Sequence, residues 1–268
     1  MSAISKKAAE NLDKNLQIIE ANDFDKVLFR TLLVTKNPGQ YPALHALNHL
    51  AKAKSIIGFD NEMATIRAIT SEEEAATAVY HALKHKRYQN ADKLNVRKHD
   101  HKSAFWPLLR IIESALAPAK LELGIELEGK KDENNFKIKT FICFPDRVKG
   151  YPDPPLSLSL SVNGGEPFDE QISNLIKNSG EKTIKEHIDN RANQRNKIFY
   201  ASPDGIPEIE IKSGFFEEYR RRVTIMIVAF LLISQNPPQS FVQQCLDKLV
   251  EILGRPSMAR NNSPPQSP

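Results

Sequence analysis

Four stretches of the chain carry side chains able to do chemistry. The first is the acidic run Glu72-Glu73-Glu74. Successive residues of a helix point about 100° apart, so Glu73 and Glu74 cannot face the same way; one can point inward while its neighbour stays in solvent. The ordinary expectation for such a run is a solvated helix face, because carboxylates are mostly exposed. The second is Arg97-Lys98-His99-Asp100-His101-Lys102, in which two imidazoles flank a carboxylate with fixed cations outside. Cations disfavour a charged imidazole and a carboxylate favours it. That mixture suits general acid–base work on a phosphodiester, with Arg or Lys stabilising developing negative charge. The plain alternative is a polar helix start with Asp100 as a first-turn anion. The third is the basic segment from Arg191 through Arg195 to Tyr200, before the turn Ser202-Pro203-Asp204-Gly205. Arg191 or Arg195 could reach a phosphate or pair with the glutamates, or simply place cations at a helix C-terminus.

The fourth is a set of histidine pairs, His45 with His49 and His81 with His85. Each pair lies i, i+4 on one helix face, a spacing used by helical metal sites. No Glu follows the first His of either pair, so the zinc-protease motif is absent. His81 and His85 sit amid Lys84, Lys86 and Arg87, which argues for solvent. A metal-dependent helical hydrolase built on these four residues is the third-ranked function; the leading site needs no metal and no cofactor.

Helices must position these residues. Apolar spacing predicts helices over Ser5–Glu20 and Phe24–Val34, the second capped by Asp23. Asn37-Pro38-Gly39 ends it, and Tyr41-Pro42 opens the next. Ala43–Ile57 and Asn61–Arg87 are rich in Ala and joined by a Gly58 break, which predicts antiparallel neighbours in a bundle. The Arg97–Lys102 cluster opens a third helix through Trp106, Leu108 and Ile111, ended by Pro118. Phe136–Phe144 and Leu156–Val162 read as strands, with a proline-rich loop, Pro145–Pro155, between them. Phe168–Lys177 and Lys182–Gln194 read as helices, Ile198–Tyr200 as extended, and Ile209–Ile211 as a short strand. Phe215–Ser234 and Phe241–Leu253 close the fold. The expected class is mainly α, an antiparallel helical bundle with a small β-containing insertion. Its parts are an N-terminal bundle portion (1–120), an α+β middle (121–214), C-terminal helices packing on the bundle (215–255) and a disordered tail (256–268).

At 268 residues the chain can bury a sizeable core. A net charge of +4, spread along the chain, is compatible with nucleic acid without demanding it. Cys143 and Cys245 have no metal spacing and read as reduced core thiols of a cytoplasmic protein. The N-terminus lacks a signal-peptide run. Val223–Ile233 falls well short of the roughly 20 residues that span a bilayer, so it reads as a buried helix and no membrane partner is expected.

In order, the Ala-rich helix pair, Ser71-Glu72-Glu73-Glu74-Ala75-Ala76-Thr77-Ala78, His99-Asp100-His101-Lys102, Arg195-Asn196-Lys197-Ile198-Phe199-Tyr200 and Asp204-Gly205 resemble the AbiV abortive-infection family of the HEPN superfamily. Thr77 stands where that family usually has Lys, Ala76 where it often has Gly, and Ala201 where it has Val. The resemblance implies a HEPN-like helical bundle that commonly dimerises and a role in growth arrest during phage infection. RNA is then the expected substrate, with a homodimer and a phage or host protein as expected partners. Many HEPN proteins are metal-independent RNases whose Arg and His lie on one helix with four to six residues between them, where Arg97 and His101 have three. Arg97 and His101 do not match that spacing, so a site here is assembled differently. With the charge chemistry, the resemblance assigns His101 as acid or base, Lys102 and Arg195 as phosphate contacts and Glu73 as an orienting carboxylate. Arg97, His99, Arg191, Tyr200 and Glu74 are assigned to substrate binding. The competing function is a non-catalytic binding protein whose polar cluster is a structural lock within the bundle.

Overall fold

The computed structural model describes residues 6–117, 122–129, 136–143, 148–157, 168–199 and 209–254. The fold is mainly α. Helix α1 (Lys6–Ile18) turns its Leu12 and Leu16 inward. Helix α2 (Asp23–Thr31) starts at Asn22, whose side chain accepts from the Asp25 N–H at 2.8 Å; the cap is thus Asn22, one residue before the expected Asp23. A 3-10 turn, Leu32–Val34, ends this hairpin.

Helices α3 (Gln40–Ile56) and α4 (Asn61–His85) form the centre of the molecule. They pack closely because their facing positions carry almost no side chain: Ala43, Ala46, Ala64, Ala68, Ala75 and Ala78 are fully buried. Between the helices, Gly58 takes the left-handed backbone that ends α3 (φ +84°). Its N–H donates to Asn61 Oδ1, and Asp60 caps α4 by accepting from the Met63 N–H. The short link makes the pair antiparallel, as the sequence predicts.

The expected third helix is two. Helix α5 (His99–Ser103) ends at Ala104, and α6 (Phe105–Leu116) starts directly after it. The insertion contains an antiparallel sheet in the order β1 (Glu122–Glu128), β2 (Lys137–Cys143), β3 (Lys149–Gly150), with Ile125 opposite Thr140. The expected strand over Phe136–Phe144 is therefore present as β2, and β1 is its unforeseen partner. Helices α7 (Asp169–Ser179), α8 (Ile184–Ala192) and α9 (Gln194–Phe199) follow, then α10 (Phe215–Gln235) and α11 (Ser240–Gly254). Helix α10 packs on α4 and α3 through Val223, Met226, Ile227 and Phe230, all fully buried. At its C-terminal end, Gln235 accepts from the Ile138 N–H and donates to the Phe136 carbonyl, which docks the sheet.

Three local expectations are corrected. Ile198 and Phe199 lie in helix α9 and not in an extended segment; neighbouring α8 and α4 override the strand preference of the Ile-Phe pair. Ile209–Ile211 forms no strand. Its backbone is held instead by α4: the Ile209 N–H donates to Glu62, and its carbonyl accepts from Asn61. Leu156 sits in a turn, and the rest of the expected strand through Val162 lies outside the described residues, as does the expected tail. Neither cysteine forms a disulfide, and only Cys245 is buried; Cys143 is partly exposed at the end of β2. No helix among the described residues is long and apolar enough to cross a membrane.

Candidate functional site

The site is built on the middle of α4. Glu72, Glu73 and Glu74 fan out to three different sets of partners. Glu72 binds Arg191 of α8 (Oε1 to Nη2, 2.7 Å) and Arg222 of α10 (Oε2 to Nη1, 2.9 Å). Glu73 binds His99 Nδ1 (2.8 Å), Lys102 Nζ (3.1 Å) and Arg195 Nη1 (3.5 Å), from α5 and α9. Glu74 reaches His45 Nδ1 of α3 at 3.4 Å. The run is thus no solvated face: the side chains of Glu72 and Glu73 are only 6% and 4% exposed. Buried carboxylates persist only when paired, and here each has at least two cationic partners. Ser71 and Thr77, on either side, return their hydroxyls to carbonyls of their own helix and leave the glutamates free for distant partners.

The two histidines of the cluster play opposite parts. An ionised carboxylate only accepts hydrogen bonds, so the Glu73 contact makes His99 the donor through Nδ1–H. In the neutral ring this leaves the Nε2 lone pair available, on a side chain that is 50% exposed. His101 turns away: its Nδ1 accepts the Asn95 backbone N–H at 3.1 Å, which places its proton on Nε2. Its carbonyl accepts from the Tyr80 hydroxyl at 2.6 Å. Burial, with Lys98, Lys185 and Lys84 nearby, pulls the His101 pKa below the usual imidazole value, while Asp100 pulls it back up. The imidazole on the buried carboxylate is therefore that of His99.

His99 opens onto a cleft of about 510 Å³ lined by Arg97, Lys98, Asp100, Asp189, Arg195 and Asn196, among others. Lys185 bridges its two acidic walls, Asp100 at 3.1 Å and Asp189 at 2.6 Å. Burial of Asp100 raises its pKa, but the Lys185 hydrogen bond and charge outweigh this and hold it below the usual value. With those carboxylates engaged, Arg97, Lys98 and Arg195 leave the cleft electropositive, suited to an anion.

Of the residues expected at a site, Glu73, His99, Lys102 and Arg195 come together, and Arg97 lines the same cleft. Arg191 joins the neighbouring Glu72. Glu74 and His101 lie on other faces, and Tyr200 is outside the described residues. Sequence reasoning missed Glu72 as a member, together with Arg222, Lys185 and Asp189. Arg222 left a trace: in α10 it lies at helical spacing beside the buried Tyr219, Val223 and Met226, where a charge needs a partner. Its guanidinium lies 5.1 Å from the centre of the Trp106 ring and 4.9 Å from that of Tyr219.

The histidine pairs do not make a metal site. Arg67 Nη1 lies 3.3 Å from His49 Nδ1, and a guanidinium donates only, so that lone pair is taken. His45 and His49 meet edge to face with ring centres 4.4 Å apart. No group of three or more His, Cys, Asp or Glu among the described residues is arranged to hold a metal.

The fold and site define a mainly α-helical protein with an inserted antiparallel sheet and a buried ion-pair centre beside an electropositive cleft. Set against protein-family models, curated proteins and solved structures, the chain matches none of them.

Proposed function

We propose that the chain is an RNA-directed effector of the HEPN-like, abortive-infection kind, cleaving a phosphodiester without a metal ion. One observation carries the reading: a half-exposed imidazole, His99, donates Nδ1–H to a buried carboxylate 2.8 Å away and faces a cationic cleft. A carboxylate behind an imidazole fixes its tautomer and supports the imidazolium that forms on proton uptake. His99 Nε2 then takes the proton of a ribose 2′-hydroxyl as that oxygen attacks phosphorus. The bond to the 5′-oxygen breaks, and that oxygen takes a proton from water in the open cleft. Arg97, Lys98 and Arg195 hold the phosphate and its developing charge. Lys102 stays on Glu73 as its buried ion-pair partner. The acid–base role thus moves from His101 to His99. A cytoplasmic homodimer that answers to a phage or host protein belongs to the same reading.

The test is incubation of the purified protein with total RNA and with tRNA in EDTA, followed by size-exclusion chromatography of the same samples. Cleavage is expected to fall by about a hundredfold or more in His99→Gln and to persist in His101→Gln. Equal cleavage by the His99 variant and the parent sinks the mechanism.

A second reading rests on a separate observation. Cations from α5, α8, α9 and α10 converge on two adjacent carboxylates of α4, which is how a structural lock is built. In that case the fold is a non-catalytic binding protein. Its His99→Gln variant then keeps every activity of the parent, and RNA stays intact with both.

A further inference from the structure

Helices α6 and α10 each have more apolar surface than the bundle covers. On α6, Leu109, Ile112 and Leu116 are only partly buried; on α10, Val228 and Ala229 are partly buried and Ile225 is 38% exposed. These faces look at each other across a space of about 740 Å³, which α11 and strand β1 close on two further sides. Protein interiors leave few voids larger than a water molecule. An apolar cavity of this size falls within the range of small-molecule sites, and hydrocarbon is what such a lining favours.

The polar groups of the lining are unequal. Glu113 is held by Arg110, and Thr140 gives its hydroxyl to the Pro155 carbonyl. Arg221 is exposed and rests on the Trp106 ring, 5.7 Å from its centre, and makes no ion pair among the described residues. A hydrocarbon slot with an uncommitted guanidinium at its edge is complementary to one acyl chain ending in an anion.

We propose that the space between α6, α10, α11 and β1 binds a single long-chain fatty acid, with its carboxylate on Arg221 and its chain along Leu109, Ile112 and Val228. Walls on four sides admit one chain and exclude the flat face of a bilayer. The site is separate from the Glu73 cleft, and its existence does not depend on the function proposed there.

Trp106 makes the proposal measurable. It is the chain's one tryptophan and lines the cavity, so its emission reports an occupant. The full-length protein is titrated with dibrominated stearate, a contact quencher, below its micellar concentration. Saturable one-to-one quenching, reversed by oleate, is expected. Val228→Phe fills the slot and should weaken binding by about tenfold or more, with folding checked by circular dichroism. Arg221→Gln alters only an exposed side chain; it should weaken binding of the fatty acid severalfold and leave binding of the matching fatty alcohol unchanged. Four results overturn the proposal, three of them being no quenching in the parent protein, quenching that Arg221→Gln and Val228→Phe both leave unchanged, and a response only to phosphatidylglycerol vesicles. A dimer that Val228→Phe dissociates, with no fatty acid bound by the parent, assigns the space to a second copy of the chain and likewise overturns it.

Discussion

Replacing Glu72 by Gln tests how far the α4 carboxylates hold the fold together. Glu72 binds Arg191 at 2.7 Å and Arg222 at 2.9 Å, and its own side chain is 6% exposed. Gln keeps the size and removes the charge. Taking away one partner of a buried ion pair costs about 3–5 kcal/mol, because the other charge is left uncompensated. The surroundings place this case at the low end. Arg222, 11% exposed, keeps Glu218 and the two aromatic faces. Arg191, 25% exposed, can turn toward water. A loss of about 3 kcal/mol lowers the Tm of a chain this long by roughly 6–12 °C. The assay is thermal unfolding followed by circular dichroism at pH 7, for Glu72→Gln, Arg222→Met and the double variant. The double variant should be no less stable than the worse single one, since the second change removes the charge that the first orphaned. His99→Gln is the contrast: its half-exposed ring should cost under about 1 kcal/mol. A Tm for Glu72→Gln within about 2 °C of the parent refutes the reasoning.

Two further perturbations probe the frame. At Gly39 a methyl group would overlap the Ala78 carbonyl and the Phe230 ring; Gly39→Ala should cost about 1–3 kcal/mol, read as a lower urea midpoint at unchanged slope, and an unshifted midpoint counts against this packing. Burial first, then His45, Arg67 and other cations, push the His49 pKa from 6.5 down to about 4. The unfolded chain therefore takes up that proton first, so the contribution of His49 is complete above pH 6.5 and is lost as the pH falls from 6.5 toward 4. The shift amounts to roughly 3 kcal/mol; His49→Gln should flatten that stretch of the stability–pH curve, and an equal slope in variant and parent would falsify the assignment.

The helices were legible because their evidence is local. The Ala spacing of α3 and α4 and the apolar run of α10 carry their own periodicity, and the Gly58 break carries its own turn chemistry. The depth of the glutamates was not legible for the opposite reason. Glu72 is buried because Arg191 and Arg222, 119 and 150 residues further on, arrive beside it, and no local pattern announces a partner at that distance. The same holds for the choice between His99 and His101. Both stand in one short helix beside Asp100, and what separates them is the side of α5 that meets Glu73. Ile198 and Phe199 failed in the other direction: a β-branched and an aromatic residue read as strand, while the pair lies in α9, which packs beside α4 and α8.

The two readings of the site, lock and catalyst, fall on different carboxylates. Neither Arg191 nor Arg222, the cations of Glu72, lines the cleft. They join α8 and α10 to α4, and their removal is felt by the fold. Of the partners of Glu73, His99 and Arg195 line the cleft, while Lys102 stays inside. Because α8 leads directly into α9, the hold of Glu72 on Arg191 also sets where Arg195 stands over Glu73. A single helix carrying both carboxylates holds the wall of the cleft with one residue and orients the His99 imidazole with the next. If the proposed RNA cleavage holds, loosening Glu72 should disturb phosphate binding first, through Arg195, and leave the His99–Glu73 contact in place.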